Sequence, residues 1–227
     1  GAATPPAELR DDGSPASSGI TVPIPLPRRR LTGDRMVFHA PLRIGDRIRR
    51  RAEVSNIETE ETADGPVVHL TLRHDIENEA GLAIVEERAF FYLGETGTGP
   101  APQTQLPPAK ADWERKIEPT AVLMFRFSAL RFNSHRIHYD RDYATKTEGY
   151  PGLVVPVTLV SFLMMELCRA EAPDTPLVGF NYNSEKPVFD LGPYTIYGAP
   201  DGDRVRLWAT DYAGELAVTA EASLASS

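Results

Sequence analysis

The longest apolar run of the chain, residues 153–165, most restricts what it can become. Thr158 and Ser161 interrupt the run, and it is too short to cross a bilayer. Pro156 stands near the start of 157–170, which is apolar on most faces, and a helix apolar all round has to be buried. Most of the chain around it reads as strand and turn. A lone buried helix needs a sheet to cover it, so the class expected is α+β, with an antiparallel sheet wrapped around that helix.

Ahead of the helix, four antiparallel strands and no helix are expected within 36–99, at 36–39, 47–57, 67–72 and 82–93, with Asp64-Gly65-Pro66 as a turn. Beyond 120, partial alternation and aromatic content predict a strand over 122–132. Paired charges and helix formers predict a helix over 138–146, broken by Glu148-Gly149-Tyr150-Pro151-Gly152. Four more strands are expected at 178–188, 194–197, 204–210 and 215–224. The prolines punctuate this order, because six of the 20 fall in 1–35 and five in 100–119. The organisation expected is therefore an extended proline-rich segment 1–35, a strand-only block 36–99, a proline-rich linker 100–119 and a helix-in-sheet block 120–227.

Composition removes several function classes. Asp and Glu outnumber Lys and Arg by 32 to 24, which argues against nucleic acid as a partner. The single Cys168 makes no internal disulfide and offers no thiolate cluster for zinc, so the cytoplasm is the compartment expected. Residues 1–35 have neither the apolar run nor the cleavage site of a signal peptide, and no membrane partner, metal or cofactor is expected. Arginine is dense at 28–30 and 47–51. A solvated strand face or edge explains this, and a cradle for the phosphates of CoA or an acidic carrier protein is the other reading.

One stretch carries a resemblance. Phe127-Ser128-Ala129-Leu130-Arg131-Phe132-Asn133-Ser134-His135-Arg136-Ile137-His138-Tyr139-Asp140, followed by Tyr143-Ala144 and Tyr150-Pro151-Gly152-Leu153-Val154-Val155, resembles the MaoC-like double-hotdog enoyl-thioester hydratases and dehydratases. Within them it is most similar to the mesaconyl-CoA hydratase and 3-hydroxyacyl-thioester dehydratase branch. Residues 22–29 and 38–46 look like that branch's first half. The resemblance implies a double hotdog and an acyl-thioester substrate, carried by CoA or by an acyl carrier protein. It makes His138 the acid–base residue, Asn133 the residue that positions water or orients His138, and the Val157 backbone N–H the oxyanion donor. His135, Tyr150 and Phe162 are expected to bind substrate, and a homodimer is the expected assembly.

The chemistry suits these residue types. Adding water to a 2-enoyl thioester needs a base near neutral pKa and a donor for the enolate oxygen. Imidazole meets the first need, and an unpaired amide at a helix N-terminus the second. Bland readings stand beside these. His39, His69 and His74 lie in strand patterns and are read as structural. His135 and His138, three apart, have no further ligands for a metal, and Ser161 and Cys168 have no neighbour to activate them as nucleophiles.

Two departures from the family pattern bear on activity. Where relatives carry His-Gly after the apolar run, this chain reads Pro156-Val157, placing a branched side chain beside the oxyanion amide. Block one also lacks the helix expected before its sheet, so the first half is incomplete. Either the sequence begins after residues that relatives carry, or the sheet is covered in another way. Two further functions therefore stand beside hydration. One is a scaffold repurposed as a polyketide or polyene cyclase taking a free apolar polyketide, and the other is a non-catalytic acyl-binding or partner subunit.

Overall fold

A computed structural model describes residues 4–15, 20, 22–62, 65–94 and 106–225 of the 227-residue chain. Strands β1 (Arg28–Phe38), β2 (Arg49–Thr62), β3 (Gly65–Asn78) and β4 (Gly81–Leu93) come first, followed by β5 (Trp113–Ile117), α1 (Ala121–Leu130) and α2 (Val157–Glu171). The chain ends in β6 (Leu177–Ser184), β7 (Tyr194–Asp201), β8 (Arg204–Thr210) and β9 (Leu216–Leu224). Among the described residues these nine strands form one antiparallel sheet in the order β2-β3-β4-β1-β6-β9-β8-β7-β5. The two blocks meet where β1 pairs with β6, from Gly33 opposite Asn183 to Val37 opposite Gly179.

The expected buried helix is α2, packed against β5 to β9. Val160 and Met164 are fully buried, and Leu159, Leu167 and Cys168 nearly so. They meet Phe180 and Tyr182 from β6, Tyr194 and Ile196 from β7, Val205 and Leu207 from β8, and Ala217 and Val218 from β9 in one continuous core. The first block has the four expected strands, each longer than its apolar run suggested, and no helix among its described residues. β1 begins within the segment read as extended proline-rich chain.

The strand expected at 122–132 is instead the helix α1. The Thr120 hydroxyl accepts from the Leu123 N–H at 3.2 Å and caps it, and Ala, Leu, Met and Arg are good helix formers. Only Met124 and Ser128, four apart, are buried on α1, while Val122, Phe125 and Leu130 are exposed. The apolar residues therefore do not mark a buried face, and their spacing misleads. The place beside β7 belongs to β5, in the segment read as a proline-rich linker. There the Trp113 ring lies over Gly198, where an added Cβ would stand 2.6 Å from a ring carbon.

The helix expected over 138–146 is reduced to a 3₁₀ turn at Arg136–His138 and a π-helical turn at Tyr143–Thr147. Among the described residues, no helix is long and apolar enough to cross a membrane.

If α2 organises the core, removing the fully buried Met164 side chain leaves a cavity the sheet cannot close. We expect Met164→Ala to lower unfolding free energy by about 2–5 kcal/mol, read from the urea midpoint.

Candidate active site

The site begins at the C-terminus of α1. The Phe132 N–H bonds to the Ala129 carbonyl and the Asn133 N–H to the Ser128 carbonyl, at 3.1 and 2.9 Å. This is a Schellman closure, with Phe132 in the left-handed position at φ 48°. A phenylalanine there carries strain that glycine would not, and the turn sends the chain directly into the 133–138 loop. The Asn133 side-chain oxygen accepts from the His135 N–H at 3.3 Å, shaping that loop locally.

His138 is buried and held by a clasp. Its Nδ1 lies 2.7 Å from the Val154 carbonyl oxygen, and the Val154 N–H donates to the Ile137 carbonyl at 2.9 Å. A carbonyl only accepts, so Nδ1 must carry the proton and Nε2 keeps its lone pair. Val154 in turn bridges to Phe189, while the Val155 N–H bonds to the Val188 carbonyl. Asp190 accepts from the Leu153 N–H at 2.8 Å and pairs with Arg141. The partner that orients the imidazole is thus a backbone carbonyl of the segment entering α2, and the expectation that Asn133 orients it finds no such bond.

Burial pushes the His138 pKa down to about 4, against the raising effect of the Val154 carbonyl and with a small further push from His135. The two rings stand edge to face with centroids 5.5 Å apart. Burial also lowers the His135 pKa, which Asp12, with a carboxylate oxygen 3.8 Å from Nε2, partly offsets. Among the described residues no three His, Cys, Asp or Glu side chains are grouped to hold a metal. Cys168 is buried, and that burial pushes its thiol up to about 11, away from nucleophilic use.

α2 starts at Val157, with Pro156 before it. The Leu159 and Val160 amides bond back to the Pro156 carbonyl. As a first-turn amide, Val157 N–H has no acceptor within the helix. Val157 lines a cavity of about 670 Å³ that also takes in Asn133, His135, His138 and Tyr150. Phe162 lies elsewhere: it is 47% exposed on α2, tilted against Phe127 of α1, and is not part of the cavity wall. The structure therefore brings five of the six expected site residues together.

Two contributions escaped the sequence reading. The first is a strap from the N-terminal segment. The Arg136 N–H donates to the Asp12 carbonyl at 2.8 Å, and the Ser134 hydroxyl to the Gly13 carbonyl at 2.6 Å. Gly13 has φ 80°, and a Cβ there would lie 2.0 Å from the Ser134 oxygen. These residues fall in the segment read as extended proline-rich chain, and nothing local said where it would dock. The second is a polar wall from the strand-only block, where Arg50, His74 and Arg88 line the same cavity as His138. His74 had read as a structural strand histidine. Of the arginines noted in the sequence, Arg28, Arg29, Arg30 and Arg50 reach the cavity wall.

The family model described as hydroxyacyl-thioester dehydratase type 2 matches residues 2–190. Mesaconyl-C(4)-CoA hydratase of Chloroflexus aurantiacus is 43% identical over 221 residues, spanning 97% of this chain and 79% of the relative. The mitochondrial hydroxyacyl-thioester dehydratase type 2 of Schizosaccharomyces pombe is 30% identical over 165 residues, 71% of this chain and 54% of that protein. A MaoC-like dehydratase from Phytophthora capsici, of known crystal structure, superposes with a TM-score of 0.67 at 16% identity over 95% of this chain and 80% of its own, a likeness of fold.

The docking of the strap gives a direct test of local architecture. Gly13→Ala should cost on the order of 1–3 kcal/mol by straining a left-handed residue against Ser134. Faster cleavage of the N-terminal segment in limited proteolysis would report its release.

Proposed function

This chain belongs to the hydroxyacyl-thioester dehydratase type 2 family, within the MaoC-like hotdog dehydratases, and from that premise we propose that it adds water to a 2-enoyl thioester and runs the reverse dehydration. The observation that carries this reading is His138. With Nδ1–H committed to Val154, its Nε2 keeps a free lone pair, and the residue lines the cavity at which α2 begins. Neither the cyclase nor the acyl-binding reading gains support from the relatives.

In the hydration direction, Nε2 of His138 takes a proton from water as the water oxygen bonds to C3. The π pair of C2=C3 moves toward the thioester carbonyl, whose oxygen gains negative charge. The Val157 N–H, at the positive end of α2, donates to that oxygen. The imidazolium then returns its proton to C2, forming the C2–H bond and restoring neutral His138. Burial makes the imidazolium a strong acid, which favours this second transfer. The Asn133 amide, whose oxygen is engaged by the His135 N–H, has its NH₂ group available to hold the water. His135 and Tyr150 shape the cavity around the thioester.

In this reading the block 120–227 supplies the chemistry and the block 36–99 the wall against which the acyl group lies, with 100–119 joining them. The substrate carrier is CoA, supported by the name of the bacterial relative and by Arg28, Arg29 and Arg30 at the cavity. A homodimer is the assembly we propose, because the exposed apolar side chains Val122, Phe125 and Leu130 of α1 call for a cover. A reducing cytoplasm suits the single buried thiol.

Incubating the protein with enoyl-CoA thioesters, and reading a mass gain of one water, is the primary test. No gain with short, branched or long enoyl chains would remove the proposal. His138→Ala should lower kcat by about 10²–10⁴-fold. Val157→Pro removes the N–H at a helix position that tolerates proline, so it should keep the fold and lower kcat by about 10²–10³-fold.

A base loses function as it protonates, so the acid limb of kcat/KM should fall well below the ordinary imidazole value of 6.5, toward about 4. An acid limb near 6.5 that vanishes in His138→Ala would contradict the buried, uncharged histidine.

A further inference from the structure

The N-terminal strap brings more than its backbone to the cavity. Among the described residues the carboxylates on the cavity wall are those of Asp11, Asp12 and Glu148. Glu148 accepts from the Tyr143 hydroxyl at 3.1 Å, whereas Asp12 stands beside a histidine of the site. The loop that carries Asp12 is closed by a bridge between Leu9 and Pro15 and by the Gly13 N–H, which donates to the Arg10 carbonyl at 2.8 Å. Because this loop is docked on Ser134 and Arg136, the position of the Asp12 side chain is set by the same segment that holds His135 and His138.

The two carboxylate oxygens of Asp12 have different neighbours. Oδ1 accepts from the Ser14 N–H at 2.7 Å and from the Ser14 hydroxyl at 2.6 Å, a local turn that an asparagine could form as well. Oδ2 lies 3.3 Å from the Arg10 guanidinium and 3.8 Å from His135 Nε2. Burial pushes the carboxyl up, but the Ser14 bonds, His135 and Arg10 outweigh it and hold it below its ordinary value, so Asp12 stays charged. Burial holds His135 below its ordinary value too, and at neutral pH its ring is uncharged.

An uncharged imidazole carries a single proton, and a facing carboxylate favours the N–H on the nearer nitrogen. At 3.8 Å Asp12 exerts this preference through its charge, which places the proton on Nε2 and the lone pair on Nδ1. Among the described residues His135 Nδ1 has no hydrogen-bond partner and, unlike the ring nitrogens of His74, is not sealed within the protein. His138 is arranged in the converse way, with Nδ1–H committed to Val154 and the lone pair on Nε2. The two rings stand edge to face with centroids 5.5 Å apart. One water can bridge such a pair, since two hydrogen bonds of about 2.8 Å at the tetrahedral angle span about 4.6 Å.

The water that adds to C3 has two hydrogens and two lone pairs to place. In the hydration reading, on which this inference rests, one hydrogen goes to His138 Nε2, one lone pair to C3 and the other lone pair to the Asn133 NH₂ group. The second hydrogen is left without an acceptor. We propose that Asp12 is a positioning residue of this site: its carboxylate fixes the His135 proton on Nε2, so that His135 Nδ1 accepts the second hydrogen of the attacking water. That hydrogen stays on oxygen and becomes the hydroxyl proton of the product. His135 therefore holds the water in line while His138 takes the proton.

The nitrogen NMR spectrum of histidine-labelled protein shows which ring nitrogen is protonated, and His135→Phe identifies the His135 signals. In the unaltered protein His135 should be protonated on Nε2. Asp12→Asn keeps the acceptor for Ser14 but exchanges the charge for an amide. The His135 proton should then move toward Nδ1, and kcat should fall on the order of 10–10²-fold with KM little changed. His135→Phe should lose as much, and adding Asp12→Asn to it should cost nothing further, because Asp12 acts through that ring. A ring protonated on Nδ1 in the unaltered protein, losses that add in the double variant, or an unmoved kcat overturns the proposal. A fall in kcat with the tautomer unchanged reduces Asp12 to a docking residue of the strap and overturns it as well. Should Asp12→Asn fail to fold, the spectrum of the unaltered protein and the loss in His135→Phe decide. Absence of enoyl-CoA hydration by the unaltered protein brings down the underlying reading instead.

Discussion

The reciprocal clasp between the histidine loop and the segment entering α2 is the contact on which the site depends. Ile137 accepts from Val154 N–H, and Val154 accepts from His138 Nδ1–H. One pair of backbone and side-chain bonds thereby sets the tautomer of the imidazole and ties its loop to the segment that enters the helix. His138 and the Val157 N–H, which the proposed hydration uses as acid–base group and oxyanion donor, stand about twenty residues apart in the chain, and this clasp ties their segments together. The orientation is supplied by a carbonyl, which brings no charge of its own. A carboxylate in that place would raise the histidine pKa, whereas here burial prevails and lowers it.

The sheet makes one concave surface serve two purposes. Where β6 to β9 curve around α2, dispersion and apolar burial dominate and the helix is the natural filler. Across the β1–β6 junction the sheet continues, yet that face now carries Asp34, His74, Glu86 and Arg88 beside Leu70, Leu72 and Phe90. No helix covers this half among the described residues, and the space becomes part of the cavity. The asymmetry between halves is therefore chemical as well as architectural.

Much of this was legible from residue pattern. The run at 153–165 identified α2, and the β-branched runs and turns identified eight of the nine strands among the described residues, β1 only at its end, because burial on a pleated or helical face leaves a period in the sequence. The motif around Asn133 and His138 lies in a loop that lines the cavity. The segment 122–132 misled because α1 exposes Val122, Phe125 and Leu130, so hydrophobicity there does not report which face is inward. Phe162 was placed at the site for its apolar character, but helix rotation turns it out toward Phe127 and solvent. His74 read as an ordinary strand residue because nothing in β3 itself states which concave face it shares.

By itself, then, the sequence determined the class of fold and the helix at its centre, since these are written in local periodicity, while a short contiguous motif carried the family resemblance that singled out His138 and Val157. Tertiary structure alone decided which nitrogen of His138 is free, that Asp12 and Gly13 brace the loop from more than a hundred residues away, and that His74 and Arg88 border the same cavity. These depend on contacts between segments distant in the chain. The relevant energies, desolvation and charge pairing, take their values only once the surrounding groups are in place.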